Sequence, residues 1–412
     1  MKQTLLLLLI FATSLVSNAQ EDTTYPRSEW DYAKEILMHT PGEELFDGVI
    51  HPYAGLFEYY FDVDIAAEEH RGYIKALEVN GIKVHTVKEL LNQVPIEKLR
   101  ACAMKTLTYD TKNMPDITPE ATEEYRQYVI GEMSRADLIR CILLRPTISL
   151  YKSDLNTGFK AVYTHSPLMN LYFTRDQSIT TPRGHIISFM NSTQRAYETE
   201  IISLCYEQLG VKPILTITGD GRLEGGDYLR GGTISYIGCG MRTNIEAIKQ
   251  IMKADAFGHD TIAVVNDHKW WQMQMHLDTY FNIIDKDLCT LVESRYYAKE
   301  GDPEWVTVDL YTRKSGEKEY KLTRKGLSFI EFLKERGFTI IPISQKDELH
   351  YANNFLTVGP RHILAVGNQS KELQELLDKH GVKVEWIPLE TLIKGYGAAH
   401  CMTQVIRVKL AK

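Results

Sequence analysis

Four short stretches hold the residues whose types and spacing could do chemistry. "GAAHCMTQ", residues 397–404, sets Cys401 beside a histidine in a loop of small residues near the C-terminus. "MHLDTYF", residues 275–281, carries His276 and Asp278 two positions apart. On a strand these two would project from one face, as an acid/base or ion-binding unit. "LEGGDYLRGG", residues 223–232, places Glu224 and Asp227 around paired glycines, which let one backbone approach another group closely. "NLYFTRD", residues 170–176, alternates like a strand and closes on Arg175-Asp176. Each stretch also has a plainer reading. Cys401 could fill a core gap or enter a disulfide, Asp176 could mark a strand leaving for solvent, Glu224 and Asp227 could be solvated turn acids, and His276 with Asp278 could be a cross-strand surface pair.

Taken together, the stretches supply a thiol nucleophile, an acid/base and several carboxylates. A Cys–His couple alone points to a hydrolase of the cysteine-protease type. The carboxylates Asp176, Glu224 and Asp278 exceed what that chemistry requires, and a surplus of acids suits a cationic substrate. Metal ligation competes weakly, because no second histidine lies at ligand spacing near His276.

The elements that must position these residues read as α/β. "EILMHTPGEEL" is a strand running into a Pro-Gly turn. "AAEEHRGYIKALEVNG" has apolar residues at helical spacing and ends at Gly81, and "IKVHTV" alternates as a strand. Residues 87–150 read almost wholly helical, with Thr118-Pro119 as N-cap and first helical position and Ser134 with Asp137 as a capping box. Strand–turn–helix alternation then resumes in "HIISFM", "TIAVVN", "TIIPI", "HILAVG" and "QVIRVKL".

The bulk composition excludes several classes. The chain has 412 residues, 44% hydrophobic and 25% charged, with a net charge of −7 and no Lys/Arg-rich run. It carries no electrostatic footprint for nucleic acid, so a small molecule is the expected partner; a homo-oligomer stays open. "MKQTLLLLLIFATSLVSNAQ" reads as a signal peptide cut after Ala19, with an apolar run short for a bilayer. The mature protein is therefore expected to be secreted or periplasmic, with no membrane segment after cleavage. Six cysteines in a chain of this length form no disulfide scaffold and no C-x-x-C site.

The motifs "NLYFTRD", "EGGD", "RTN" at Arg242, "HLDT" and "HCMTQ", in this order, resemble arginine deiminase, a guanidine-modifying enzyme family. "LMHTPGEEL" and "FDVDIAAEEH" resemble it too, so the likeness runs from about residue 30 to 412. It implies a five-bladed α/β-propeller of the pentein type, built from ββαβ units with an inserted helical subdomain. The expected division is 1–19 signal peptide, 20–86 first part of the propeller, 87–150 helical insertion and 151–412 the remainder. On this likeness Cys401 is the nucleophile, His276 the acid/base and Glu224 its orienting partner. Asp176 and Asp278 clasp the guanidinium. Asn170, Arg195 and Arg242 hold the α-carboxylate, Phe173 packs on the substrate stem, and Asp227 belongs to the substrate-binding set. The implied reaction turns L-arginine into L-citrulline and ammonia through a covalent thiouronium, with no metal or organic cofactor.

The sequence departs from the family pattern in places. An arginine usual five residues before the cysteine is replaced by Tyr396, and part of a flanking glycine pair by Ala398 and Ala399. An exported member is also unusual. The alternatives are a related enzyme acting on peptidyl-arginine, agmatine or a methylated arginine, an amidinotransferase, and a non-catalytic arginine-binding protein.

Overall fold

The computed structural model describes residues 24–155 and 157–411. The signal-peptide reading falls on residues 1–19 and lies outside them. Among the described residues no helix is long and apolar enough to cross a membrane.

One unit recurs five times. Each time an antiparallel strand pair is followed by a helix and then by a strand parallel to the second member of the pair. The strands Ser178–Thr181 and Gly184–Ile187 pair antiparallel, and Leu215–Thr216 joins in parallel. Tyr228–Arg230, Ile234–Cys239 and Thr261–Asn266 repeat the pattern. So do Phe281–Asp285, Leu288–Val292 and Thr339–Ile343, and Leu356–Gly359, His362–Val366 and Lys383–Ile387. The fifth unit joins the two ends of the chain: Gln404–Lys409 pairs antiparallel with Tyr32–Met38, which pairs in parallel with Lys83–Thr86. The α/β class and the ββαβ unit are thus those the resemblance implies. Strand pairing does not by itself display the five-bladed arrangement, because the five sheets share no strand.

Local chemistry explains the elements. Helix Val63–Val79 starts at Asp62, whose side chain accepts from the Asp64 and Ile65 amides, and the chain leaves it at Gly81 with φ +72°. Thr118 and Ser134 cap helices Pro119–Glu132 and Arg135–Leu144. Residues 87–150 are not all helical. Strand Thr108–Asn113 pairs in parallel with Pro146–Lys152, which pairs antiparallel with Phe159–His165. The β-branched and aromatic run "TYDT" finds its partner beyond the helices, which a local pattern cannot announce.

The N-terminal segment is tied into the core. Thr24 exchanges backbone bonds with Val408, and Glu29 takes Arg230 in a two-pronged pair at 2.8 and 2.7 Å, both residues buried. Glu29→Ala strands a buried guanidinium and is expected to cost about 3–5 kcal/mol of stability, read as a lower thermal midpoint.

Candidate active site

The residues singled out converge on one narrow cavity. Its wall includes Asn170, Phe173, Asp176, Arg195, Arg242, His276 and Cys401, together with Leu56, Gln272, Met275 and Tyr396. Glu224, Asp227 and Asp278 lie directly behind this wall. All three are buried, so the reading of solvated turn acids does not hold.

Two of the local backbones differ from the strand readings. Asn170–Asp176 is a chain of turns, with Phe173 N–H donating to the Asn170 carbonyl at 3.0 Å and Asp176 N–H to Phe173 at 3.4 Å. These bonds close within the segment, so no sheet ladder forms. His276 precedes the helical turn Leu277–Tyr280, with the Thr279 hydroxyl donating to its carbonyl at 2.6 Å. His276 and Asp278 nevertheless reach one site, because Gly226 leaves room for both. A Cβ there would stand 2.7 Å from His276 Nδ1 and 3.0 Å from Asp278 Oδ1. Gly225 is tighter still, its Cβ falling 1.9 Å from the Arg175 carbonyl oxygen. Gly225→Ala must displace the Arg175–Asp176 backbone, and is expected to lose both activity and thermal stability in a joint assay of turnover and melting.

His276 is held from two sides. Its Nε2 lies 2.8 Å from Glu224 Oε2, and its Nδ1 lies 3.8 Å from Asp176 Oδ1. Glu224 is fixed in turn by the Asn191 amide at 3.0 Å. Burial works to lower the His276 pKa, but the Asp176 charge and the bond to Glu224 outweigh it and raise it to about 9. Glu224 is also buried, yet the bond from His276 and the charge of Arg242 hold it below the usual carboxylate range. Burial pushes Asp227 up to about 6. Its Oδ1 accepts the Leu277 amide at 3.0 Å, so it supports the His276 turn from behind. It was expected in the substrate-binding set, and it stands behind the cavity wall beside His276.

Cys401 sits with its Sγ 3.6 Å from Asp278 Oδ2 and 3.9 Å from Oδ1. Burial raises its pKa well above the ordinary thiol value, and Asp278 and Asp176 add to the rise. All six cysteines are free thiols, which removes the disulfide reading of Cys401. Four of the other five are buried, as expected of small apolar fillers.

Arg195 and Arg242 differ. Arg195 donates to both Glu198 oxygens at 2.9–3.1 Å and to Asp176 Oδ2 at 2.8 Å. Its guanidinium is thus paired with the protein's own carboxylates, while Arg195 still lines the cavity where an α-carboxylate is expected. Arg242 donates to Gln272 at 2.9 Å, and its buried Nε has no hydrogen-bond partner. Asn170 donates to the Gly55 carbonyl at 3.1 Å. Phe173 stacks on Tyr172 with ring centroids 4.0 Å apart.

Sequence reasoning missed three supports. Asn354 Oδ1 accepts the amides of Ala398 and Cys401 at 2.9 and 3.1 Å, shaping the nucleophile loop. Glu198 neutralises Arg195. His400 bonds Asp278 through Nδ1 at 2.6 Å. The adjacent amides in "YANNF" and the histidine beside Cys401 were available signals. Tyr396 adopts φ +66° and Leu56 φ +62° on the wall, so both loops carry side chains in backbone space that favours glycine.

Asp176, Glu224 and His276 offer ligand atoms within 4.8 Å of one another and could hold a metal ion. Asp176 Oδ1 is buried with no hydrogen-bond partner, which fits a site built to receive a cation of some kind.

A family model described as arginine deiminase matches residues 54–407. An arginine deiminase of Halobacterium salinarum is 26% identical, covering 92% of this chain and 96% of that protein. One from Borrelia garinii is 24% identical, over 91% and 95%. Solved structures share the fold. The citrulline complex of DDAH from Pseudomonas aeruginosa has a TM-score of 0.54 at 17% identity, covering 91% of this chain and 99% of that one. The N-terminal domain of ArgZ, an arginine dihydrolase from cyanobacteria, has a TM-score of 0.56 at 15% identity, over 92% and 99%. The family match spans the cavity wall from Leu56 to Cys401, and the chain belongs to the arginine deiminase family.

Proposed function

We propose that the protein hydrolyses the guanidinium of L-arginine to L-citrulline and ammonia. One observation carries the reading: a buried thiol, an imidazole with its own carboxylate, and two further aspartates meet at a single cavity. A guanidinium stays protonated in proteins, so its carbon is a poor electrophile. Asp176 and Asp278 each accept N–H bonds from the planar cation and leave that carbon open. Burial and, added to it, the charges of those two carboxylates hold the Cys401 thiol protonated. The arriving cation offsets both charges, which lowers the cost of the thiolate.

Cys401 gives up its S–H proton to solvent, and its sulfur then bonds to the guanidinium carbon. His276 gives a proton to one terminal nitrogen, the C–N bond breaks, and ammonia leaves. The remaining thiouronium keeps one NH₂ and the substrate's alkyl nitrogen. His276 next takes a proton from water, whose oxygen bonds to the carbon. The C–S bond breaks, the hydroxyl's remaining proton passes to the sulfur, and citrulline departs from the restored Cys401 thiol. Arg242, held by Gln272, is the cation with spare donors for the α-carboxylate. Phe173 flanks the alkyl stem. No step calls for a metal or an organic cofactor. The test is a panel of free arginine, argininamide, agmatine and methylarginine scored for ureido product and ammonia; preference for agmatine over arginine would overturn the assignment.

The same account fixes the sign of a pH effect. In Cys401→Ser, which keeps the clamp without the nucleophile, the His276 ring should titrate at about 9 when unliganded. Bound arginine neutralises Asp176, so the midpoint should fall. NMR of the imidazole protons reads both states, and an unmoved midpoint contradicts the clamp.

The N-terminal twenty residues support a second proposal, that the protein acts outside the cytoplasm. N-terminal sequencing of protein recovered from the periplasm or medium should begin at Gln20.

A further inference from the structure

One buried histidine beside Cys401, His400, has no part in the reaction just described. The His400 ring is buried and faces a carboxylate at each nitrogen. Nδ1 lies 2.6 Å from Asp278 Oδ2, and Nε2 lies 3.8 Å from Glu29 Oε2, with no hydrogen-bond partner. A carboxylate oxygen only accepts, so Nδ1 carries the hydrogen in the bond to Asp278. The ring is also fixed through its backbone. Its N–H donates to the Asn354 carbonyl at 3.0 Å, and its carbonyl accepts from Arg175 Nε at 3.2 Å. Glu29 behind it is locked by Arg230.

The consequence falls on Asp278. Its Oδ2 is the oxygen nearest Cys401 Sγ, at 3.6 Å. A short bond from His400 fixes the rotation of the carboxylate and draws charge away from the oxygen facing the sulfur. We propose that His400 is a positioning residue for the Asp278 carboxylate, and that Glu29 and Arg230 hold its ring in place from behind. The proposal rests on the reading that Asp278 grips the guanidinium. It adds that this grip, and the ease of forming the Cys401 thiolate, depend on a donor at the Nδ1 position.

Asparagine and glutamine separate the two ring positions. His400→Asn places an N–H near Nδ1, toward Asp278. His400→Gln extends its N–H toward Nε2 and Glu29. Two measurements are made on each full-length variant of confirmed thermal stability. One is steady-state hydrolysis of L-arginine. The other is the rate of Cys401 alkylation by iodoacetamide, followed by mass spectrometry of its peptide. His400→Gln should raise KM by about 10- to 100-fold, with a smaller change in kcat, and should slow alkylation. His400→Asn should stay within a few-fold of the parent protein in both. Equal behaviour of the two variants, or wild-type KM and alkylation in His400→Gln, overturns the proposal. Failure of the underlying reading looks different: the unaltered protein then leaves arginine untouched, while alkylation still reports on His400.

Discussion

Cys401→Ser should lose L-arginine turnover by at least about 10⁴-fold, the scale of removing a nucleophile from a catalytic set that acts as a unit. Serine keeps the shape of the side chain but not the chemistry. An alkoxide costs far more to form than a thiolate, and the site already penalises the thiolate through burial and two aspartates. A bound guanidinium can relieve the second penalty only in part for serine. The fold should be unaffected, since the Asn354 bond that shapes the loop goes to the Cys401 backbone amide. Arginine binding should therefore survive, measured by calorimetry on the variant, while citrulline formation does not. Turnover near that of the parent protein would remove Cys401 from the reaction.

Asp176→Asn and Asp278→Asn should each lower kcat/KM by at least about 10²-fold, the scale of removing one preorganised charge contact. The two variants should fail in different ways. Asp176 raises the His276 pKa and accepts from Arg195 at 2.8 Å. Its amide variant should bring the His276 titration down from about 9 and weaken substrate binding together. Asp278 raises the Cys401 pKa. Its amide variant should alkylate faster at Cys401 in the free protein, yet turn over less arginine, because a more available thiolate meets a substrate that is no longer gripped. Faster alkylation with slower catalysis is a pairing that a merely unfolded variant would not give.

The division between what the sequence discloses and what it hides follows the range of the interactions. Strands such as Thr261–Asn266 and His362–Val366, and caps such as Thr118 and Ser134, are set by neighbours within a few residues. Cys401, His276, Glu224 and Asp176 stand out because their types, in order, are chemically costly to bury without a purpose. The rest depends on contacts that no local pattern contains. His400 meets Asp278 from 122 positions away, and Glu29 meets Arg230 from 201. Arg195 meets Asp176 from 19 positions away. The same limit misplaced the backbone around His276 and Asp278. Residues two apart share a strand face, but they can also converge from a turn when a glycine such as Gly226 makes space.

The central claim is a covalent step at Cys401, and rapid acid quench of the full-length protein during arginine turnover reads it most directly. Mass spectrometry of the Cys401 peptide should find the substrate skeleton attached through sulfur, short of one ammonia, appearing within the first turnover and absent from Cys401→Ser. Citrulline released at full rate with Cys401 unmodified at every time point, or the label on another residue, would contradict the account.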